Sequence, residues 1–134
     1  MIVVDAGPMV ALLRQADQHH GRCVAALRRI RDPLYTVWPA VTEAMFLLSD
    51  RPDAQSALAG KLESAAIALL PLDRRDVPRI RELMAKYGDL PMDFTDAALV
   101  RAAERDGLET VFTTDRRDFS VYRICGRRRF RIVP

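Results

Sequence analysis

The stretch Pro91-Met92-Asp93-Phe94-Thr95-Asp96-Ala97-Ala98-Leu99-Val100 sets two carboxylates three residues apart at the head of an apolar run. On a helix, residues i and i+3 share a face, so Asp93 and Asp96 project the same way. Taken alone, the pair is explained by helix chemistry: Asp93 as N-cap, Asp96 as a first-turn acid favoured by the helix dipole. Acids elsewhere in the chain change that reading. Asp5 directly follows Ile2-Val3-Val4, Glu43 precedes the apolar run Ala44–Leu48, and Asp115 and Asp118 follow Thr110-Val111-Phe112-Thr113. Carboxylates gathered at one point repel one another and partly protonate unless a cation neutralises them. No histidine or cysteine lies in these motifs. An oxygen-only ligand set suits Mg²⁺ or Mn²⁺ rather than zinc. An acidic Mg²⁺ site with arginine nearby points to phosphodiester hydrolysis.

The elements that must position these acids follow from the local pattern. Ile2-Val3-Val4 reads as a short buried parallel strand. Gly7-Pro8 is expected to turn the chain, with the proline well placed at the first turn of a short helix over Met9 to Leu13. Asp17 can cap a helix running from His19 to Ile30, with Val24, Leu27 and Ile30 at helical spacing. Tyr35–Trp38 is the next strand candidate, closed by Pro39. Thr42 or a residue just before it then caps a buried helix through Leu48, which puts Glu43 near that helix's start. Ala54 to Ser64 reads as helix and Ala66 to Leu70 as strand. Asp73 to Tyr87 reads as a polar helix with Gly88 as its C′ residue. Asp93 to Asp106 follows as helix, ended by Gly107. Thr110–Thr113 is a strand, Asp118-Phe119 a short turn or helix, and Phe130–Val133 a final strand. Alternating strands and helices argue for an α/β fold with a mainly parallel sheet, in one domain over residues 1–134. In such sheets, sites form beyond the carboxyl ends of strands. Asp5 and Asp115 both occupy that rim, and the helix starts bearing Glu43, Asp93 and Asp96 can face it.

Composition narrows the function class. With 49% hydrophobic and 29% charged residues, the chain is ordinary for a globular domain. No apolar run approaches the length of a membrane helix. The N-terminus meets Asp5 at once and lacks a basic leader, so a cytoplasmic protein is expected. Cys23 and Cys125 have no metal-type spacing and read as reduced thiols, one of them buried. Net charge is +3, and only Lys61 and Lys86 are lysines; the other basic residues are arginines, the better bidentate phosphate ligands. From Asp115 to Pro134, seven arginines face two aspartates. A basic tail beside an acidic site suits a polyanionic substrate.

Four motifs in register carry a resemblance to the PIN domain family, and within it to the VapC-type toxin ribonucleases. They are Val3-Val4-Asp5, Thr42-Glu43, Asp93-Phe94-Thr95-Asp96-Ala97 and Thr113-Thr114-Asp115-Arg116-Arg117-Asp118-Phe119, and together they span the whole chain. Ala6 departs from the pattern, since many members carry a small hydroxyl residue beside the first acid. The resemblance implies a central parallel sheet of four or five strands with helices on both faces. It also implies Mg²⁺-dependent endoribonuclease activity on RNA. Asp5, Glu43, Asp96 and Asp115 match the family's metal-binding acids. Asp93 and Asp118 match positions that are often acidic but less regularly essential; Asp93 reads as a helix cap, a metal ligand or a support to the ligands, and Asp118 as a cap or a support to the ligands. A cognate antitoxin that enters the active-site groove, and a homodimer, are further implications of the resemblance.

Other residues have plainer readings. His19 and His20 are adjacent, so they do not share a helix face, and no third zinc ligand is spaced for them. They read as an exposed helix start. Trp38 could stack on a base, but beside Pro39 it reads as core or interface. Met45 to Leu48 reads as core or as the lining of a partner groove. Arg127-Arg128-Arg129 reads as a solvated face or a phosphate or antitoxin contact. Two other functions stay open. One is a PIN-type RNA-binding or processing protein that is not a toxin. The other is an aspartate-based phosphatase using Asp5, although Gly7 stands where a second acid would be wanted. No Gly-x-Gly-x-x-Gly follows a strand, so dinucleotide binding is unsupported.

Overall fold

A computed structural model describes residues 1–134. The first strand, β1 (Ile2–Val4), occupies the middle of a five-stranded sheet. All three of its residues are buried. Side chains alternate between sheet faces, so both faces must be covered. On one side β1 pairs in parallel with β2 (Leu34–Thr36), which pairs with β3 (Ala68–Leu69). On the other it pairs with β4 (Thr110–Phe112), which pairs with the edge strand β7 (Arg131–Val133). The order β3-β2-β1-β4-β7 is parallel throughout. Helices α1 (Ala6–Leu13), α2 (His20–Arg29), α3 (Trp38–Leu47), α4 (Pro52–Glu63), α5 (Val77–Lys86), α6 (Phe94–Asp106) and α7 (Arg116–Val121) complete the fold. None is long and apolar enough to cross a membrane.

Several local expectations shift. Gly7 and Pro8 do not turn the chain; both lie in the first turn of α1, where proline's missing N–H costs nothing. Gly7 is there for space: a Cβ at that position would overlap the Thr114 hydroxyl. The same proline effect moves the second boundary. Pro39 opens α3 instead of closing a strand, β2 ends at Thr36, and Val37 is the N-cap. Trp38 therefore begins a helix, and Glu43 sits in its second turn, not at its start. Nor is α3 wholly buried. Ala40, Val41 and Ala44 face the core, while Phe46 is 75% exposed and Leu47 is exposed too. Asp17 accepts from the His19 N–H, and the helix begins at His20, whose half-buried ring Nδ1 pairs with the Ala11 carbonyl at 2.7 Å. Asp73 heads a single 3-10 turn before α5.

Helix α6 buries more residues than any other helix. Thr95, Ala97, Ala98, Leu99, Val100, Ala102 and Ala103 all lie inside. Alanines let α6 approach α3 and α5 closely, and burying Leu99 alone contributes about 2 kcal/mol. Gly107 ends the helix in the left-handed region at φ 72°. One element was not foreseen, the antiparallel hairpin β5 (Arg123–Ile124) and β6 (Arg128–Arg129). Its anchor is Glu104 on α6, which accepts from the Cys125 N–H at 2.8 Å while holding Arg79 at 2.7 Å. Cys23 is buried and Cys125 exposed, both as free thiols.

Candidate metal centre

The acids assemble because three of them cap helices that start at one rim. Asp5 ends β1 and caps α1, with Oδ1 accepting from the Ala6 N–H at 2.7 Å. Asp93 caps α6 by accepting from the Asp96 N–H at 2.8 Å. Asp115 caps α7 by accepting from the Asp118 N–H at 3.1 Å. In each case the cap that starts a helix also places a carboxylate at the carboxyl end of the sheet.

The closest grouping is Asp96, Asp115 and Asp118, which can each offer an oxygen within 4.8 Å of the others. Asp118 thus stands inside the group, since one turn of α7 returns it beside its own cap. Asp5 stands outside this trio, because both its oxygens are held back. Oδ2 accepts from the Thr113 hydroxyl at 2.8 Å, and Oδ1 is taken by Ala6. Its charge still reaches the others: it is among the causes that raise the pKa of Asp96 and of Glu43. Glu43, half-buried on α3, feels Asp5 and Asp93 most among the acids. Asp93 is exposed at the entrance.

Two residues given no role by sequence reasoning tie the site together. Thr113, fully buried at the end of β4, donates its hydroxyl to Asp5 and accepts from the Asp115 N–H at 3.0 Å. Tyr122, also fully buried, donates its hydroxyl to Asp96 Oδ2 at 2.8 Å. Thr113 was visible as part of a motif, but nothing in its spacing said that its hydroxyl would bridge two acids. Tyr122 lies beyond every motif, and only the fold brings it under Asp96.

The electrostatics are those of crowded, partly buried carboxylates. Burial, reinforced by the charges of Asp5 and Asp93, pushes Asp96 up to about 8. Burial pushes Asp5 up to about 6 against the pull of Thr113 and Ala6. Glu43 is raised by burial and by Asp5, and Asp118 by burial and by Asp115. None of Asp5, Glu43, Asp93, Asp96, Asp115 and Asp118 takes part in an ion pair. Among the arginines, Arg117 acts on Asp118 through its charge without pairing with it. A hard divalent cation with oxygen preference fits this donor set, because it would relieve the repulsion that Arg117, Tyr122 and Thr113 only partly offset.

Beside Glu43 lies an open groove of about 620 Å³, lined by Trp38, Pro39, Thr42, Phe46, Phe94 and Thr95. Trp38, Phe46 and Phe94 are the exposed large aromatics of the chain, and all three meet here. Trp38 is therefore a surface residue and not core.

The chain is similar to known proteins in sequence and fold. The family model described as PIN domain matches residues 2–124. Ribonuclease VapC26 of Mycobacterium tuberculosis (strain ATCC 25618 / H37Rv) is 27% identical over 135 residues, covering 99% of this chain and all of that protein. A crystal structure of Mycobacterium tuberculosis VapC20, described as a sarcin-ricin loop cleaving toxin, is similar in fold with a TM-score of 0.75. It is 20% identical, with 83% of this chain and 87% of that one aligned.

Proposed function

The chain belongs to the PIN domain family, and on that premise we propose that it is a divalent-metal-dependent endoribonuclease, the toxin of a toxin–antitoxin pair. The observation that carries the reading is the trio Asp96, Asp115 and Asp118, three carboxylates brought together with no protein cation among them. The similarity to a protein named as a ribonuclease supports RNA as substrate. Asp96, Asp115 and Asp118 would hold Mg²⁺ or Mn²⁺, with Asp5 and Glu43 completing the set directly or through water. When bound, such an ion activates a water and offsets the charge on the scissile phosphate.

The chain's own residues set the conditions for that chemistry. Tyr122 holds Asp96 in one rotamer by its 2.8 Å hydrogen bond and favours the ionised, ligating form. Thr113 couples Asp5 to the Asp115 backbone, so the two strand-end acids keep a fixed separation. An aspartyl-phosphate role for Asp5 is disfavoured, since both of its oxygens already accept hydrogen bonds.

The partner readings rest on two surfaces. An apolar groove of about 340 Å³ between α1, α2 and α4 includes Met9, Leu12, Leu13, Leu27 and Leu58. It suits an amphipathic antitoxin helix. Co-purification with the product of the adjacent reading frame tests this, and a Leu27→Asp variant that still captures that product sinks the assignment of the groove. The aromatic face of Trp38, Phe46 and Phe94 suits a second copy of the chain; a Phe46→Asp variant that sediments as a dimer excludes it. A cytoplasmic location follows from the intended RNA target, and fractionation of cells checks it.

The test of the activity is cleavage of a tRNA and rRNA panel with and without EDTA. The wild type should cut only with added Mg²⁺ or Mn²⁺, and Asp96→Asn and Asp115→Asn should not cut. Equal cleavage by the wild type and by both variants would overturn the reading.

A further inference from the structure

On the sheet face beneath α2, the β4–β7 edge leaves a cleft of about 580 Å³. Its floor contains Ile2, Thr110 and Arg131, which pair in one row as the first residues of β1, β4 and β7. Its wall is the Arg22, Ala25, Ala26 and Arg29 face of α2, at helical spacings of three and four residues. The acids of the metal centre follow the opposite ends of the same strands. Ile2 and Asp5 are three residues apart, about 10 Å at the rise of an extended strand.

The charge in this cleft is not neutralised by the protein. Helix α2 carries Arg22, Arg28 and Arg29 and no acid. Arg22, Arg29 and Arg131 enter no ion pair, although Arg14, Arg51, Arg75, Arg79, Arg101, Arg105 and Arg128 each do. The acid in the lining, Asp32, is occupied by the Met1 amino group at 3.0 Å, and the Pro134 main-chain oxygen accepts from Arg116. Three free guanidiniums thus border walls of Ile2, Ala25, Ala26 and Val133. Guanidiniums recognise phosphate oxygens through paired N–H donors. Apolar walls beside them accept a ribose or base edge.

We propose that this cleft is a second phosphate-binding site, which holds a flanking segment of the RNA strand while the acidic centre addresses another. The proposal rests on RNA being the substrate. An RNA strand that occupies both sites must run along the β-strands from one end of the sheet to the other, so the cleft acts on oligonucleotides and not on single nucleotides. Arg22 and Arg29 contact phosphates from the helix side, and Arg131 from the sheet.

The test is fluorescence anisotropy of a labelled single-stranded oligoribonucleotide of roughly 12 nucleotides, in EDTA so that no strand is cut, across a salt series. Arg22→Ala/Arg29→Ala should weaken binding by roughly tenfold and flatten the salt dependence by about 0.7 in log–log slope per lost phosphate contact. Arg131→Ala should act in the same direction. Arg74→Ala/Arg81→Ala, which removes the same charge from other exposed positions, should leave the slope unchanged. Equal effects from the two double variants would overturn the proposal, since net charge alone would then explain them. So would a cleft variant that loses affinity for adenosine monophosphate but binds the oligoribonucleotide as the wild type does. Lack of metal-dependent cleavage by the wild type would defeat the reading of the acidic centre, whereas this binding comparison judges the cleft independently.

Discussion

Replacing Asp5 by asparagine should stabilise the metal-free protein at neutral to alkaline pH and destabilise it at acid pH. Asp5 is 7% exposed and its pKa rises from 3.8 to about 6 in the fold, chiefly through burial. At about 1.4 kcal/mol per pKa unit, the ionised carboxylate costs the folded state about 3 kcal/mol. The sign follows from proton linkage. The folded chain binds the proton more tightly than the unfolded one, so stability is fullest below about pH 4 and is lost as pH rises towards 6. Asparagine removes the charge and fits the same partners. Its oxygen can accept from Ala6, and its amide can donate to the Thr113 hydroxyl, which then rotates away. The rearranged hydrogen bond loses about 1 kcal/mol. The variant should therefore gain about 2 kcal/mol at about pH 8 and lose about 1 kcal/mol at about pH 4. Loss of the Asp5 charge also lowers the pKa of Asp96, which adds to the alkaline gain. Urea denaturation in EDTA at both pH values measures the difference. A variant-minus-wild-type difference that does not change with pH refutes the argument. Added Mg²⁺ should reverse the order, because a cation that binds only the folded wild type stabilises it by mass action.

Two further changes probe the supporting residues. Tyr122→Phe removes the hydroxyl that favours ionised Asp96, so its pKa rises further; Mg²⁺ affinity at neutral pH should fall roughly tenfold and the acid limb of the pH–rate profile should move to higher pH, whereas a profile superimposed on wild type would deny Tyr122 that role. Gly7→Ala forces a Cβ onto the Thr114 hydroxyl and should cost about 1–3 kcal/mol in thermal or urea unfolding. Thr114→Ala should recover most of that loss in the double variant, and strict additivity of the two changes would show that the overlap is not the cause.

The site was legible where one residue serves two local purposes. Asp5, Asp93 and Asp115 are helix caps, and caps announce themselves by type and position beside apolar runs. The positions of the strands along the chain and the helix at Phe94–Asp106 were legible for the same reason, since short β-branched runs and a helix closed by Gly107 are local signals. Boundaries at proline were not. Proline ends a strand and begins a helix with equal ease, so Pro39 was placed at a strand stop when it sits in a first helical turn, while the helix that holds Pro8 opens two residues before it, at Ala6. Nor was the exposure of Trp38, Phe46 and Phe94 legible, because an apolar run does not say whether its outer face meets core or solvent. The β5–β6 hairpin depends on Glu104, twenty-one residues away, reaching the Cys125 backbone. Tyr122 under Asp96 and Thr113 between Asp5 and Asp115 are likewise products of long-range folding, with separations of 26 and 108 residues in their side-chain hydrogen bonds.

The central claim is that a divalent cation belongs among Asp96, Asp115 and Asp118. Crystals of the wild-type protein grown with Mn²⁺ and measured at the manganese edge test it directly. The account predicts anomalous density about 2.0–2.3 Å from carboxylate oxygens of this trio, and its loss in Asp96→Asn. Density absent from the trio at saturating Mn²⁺, or unchanged in Asp96→Asn, would contradict it.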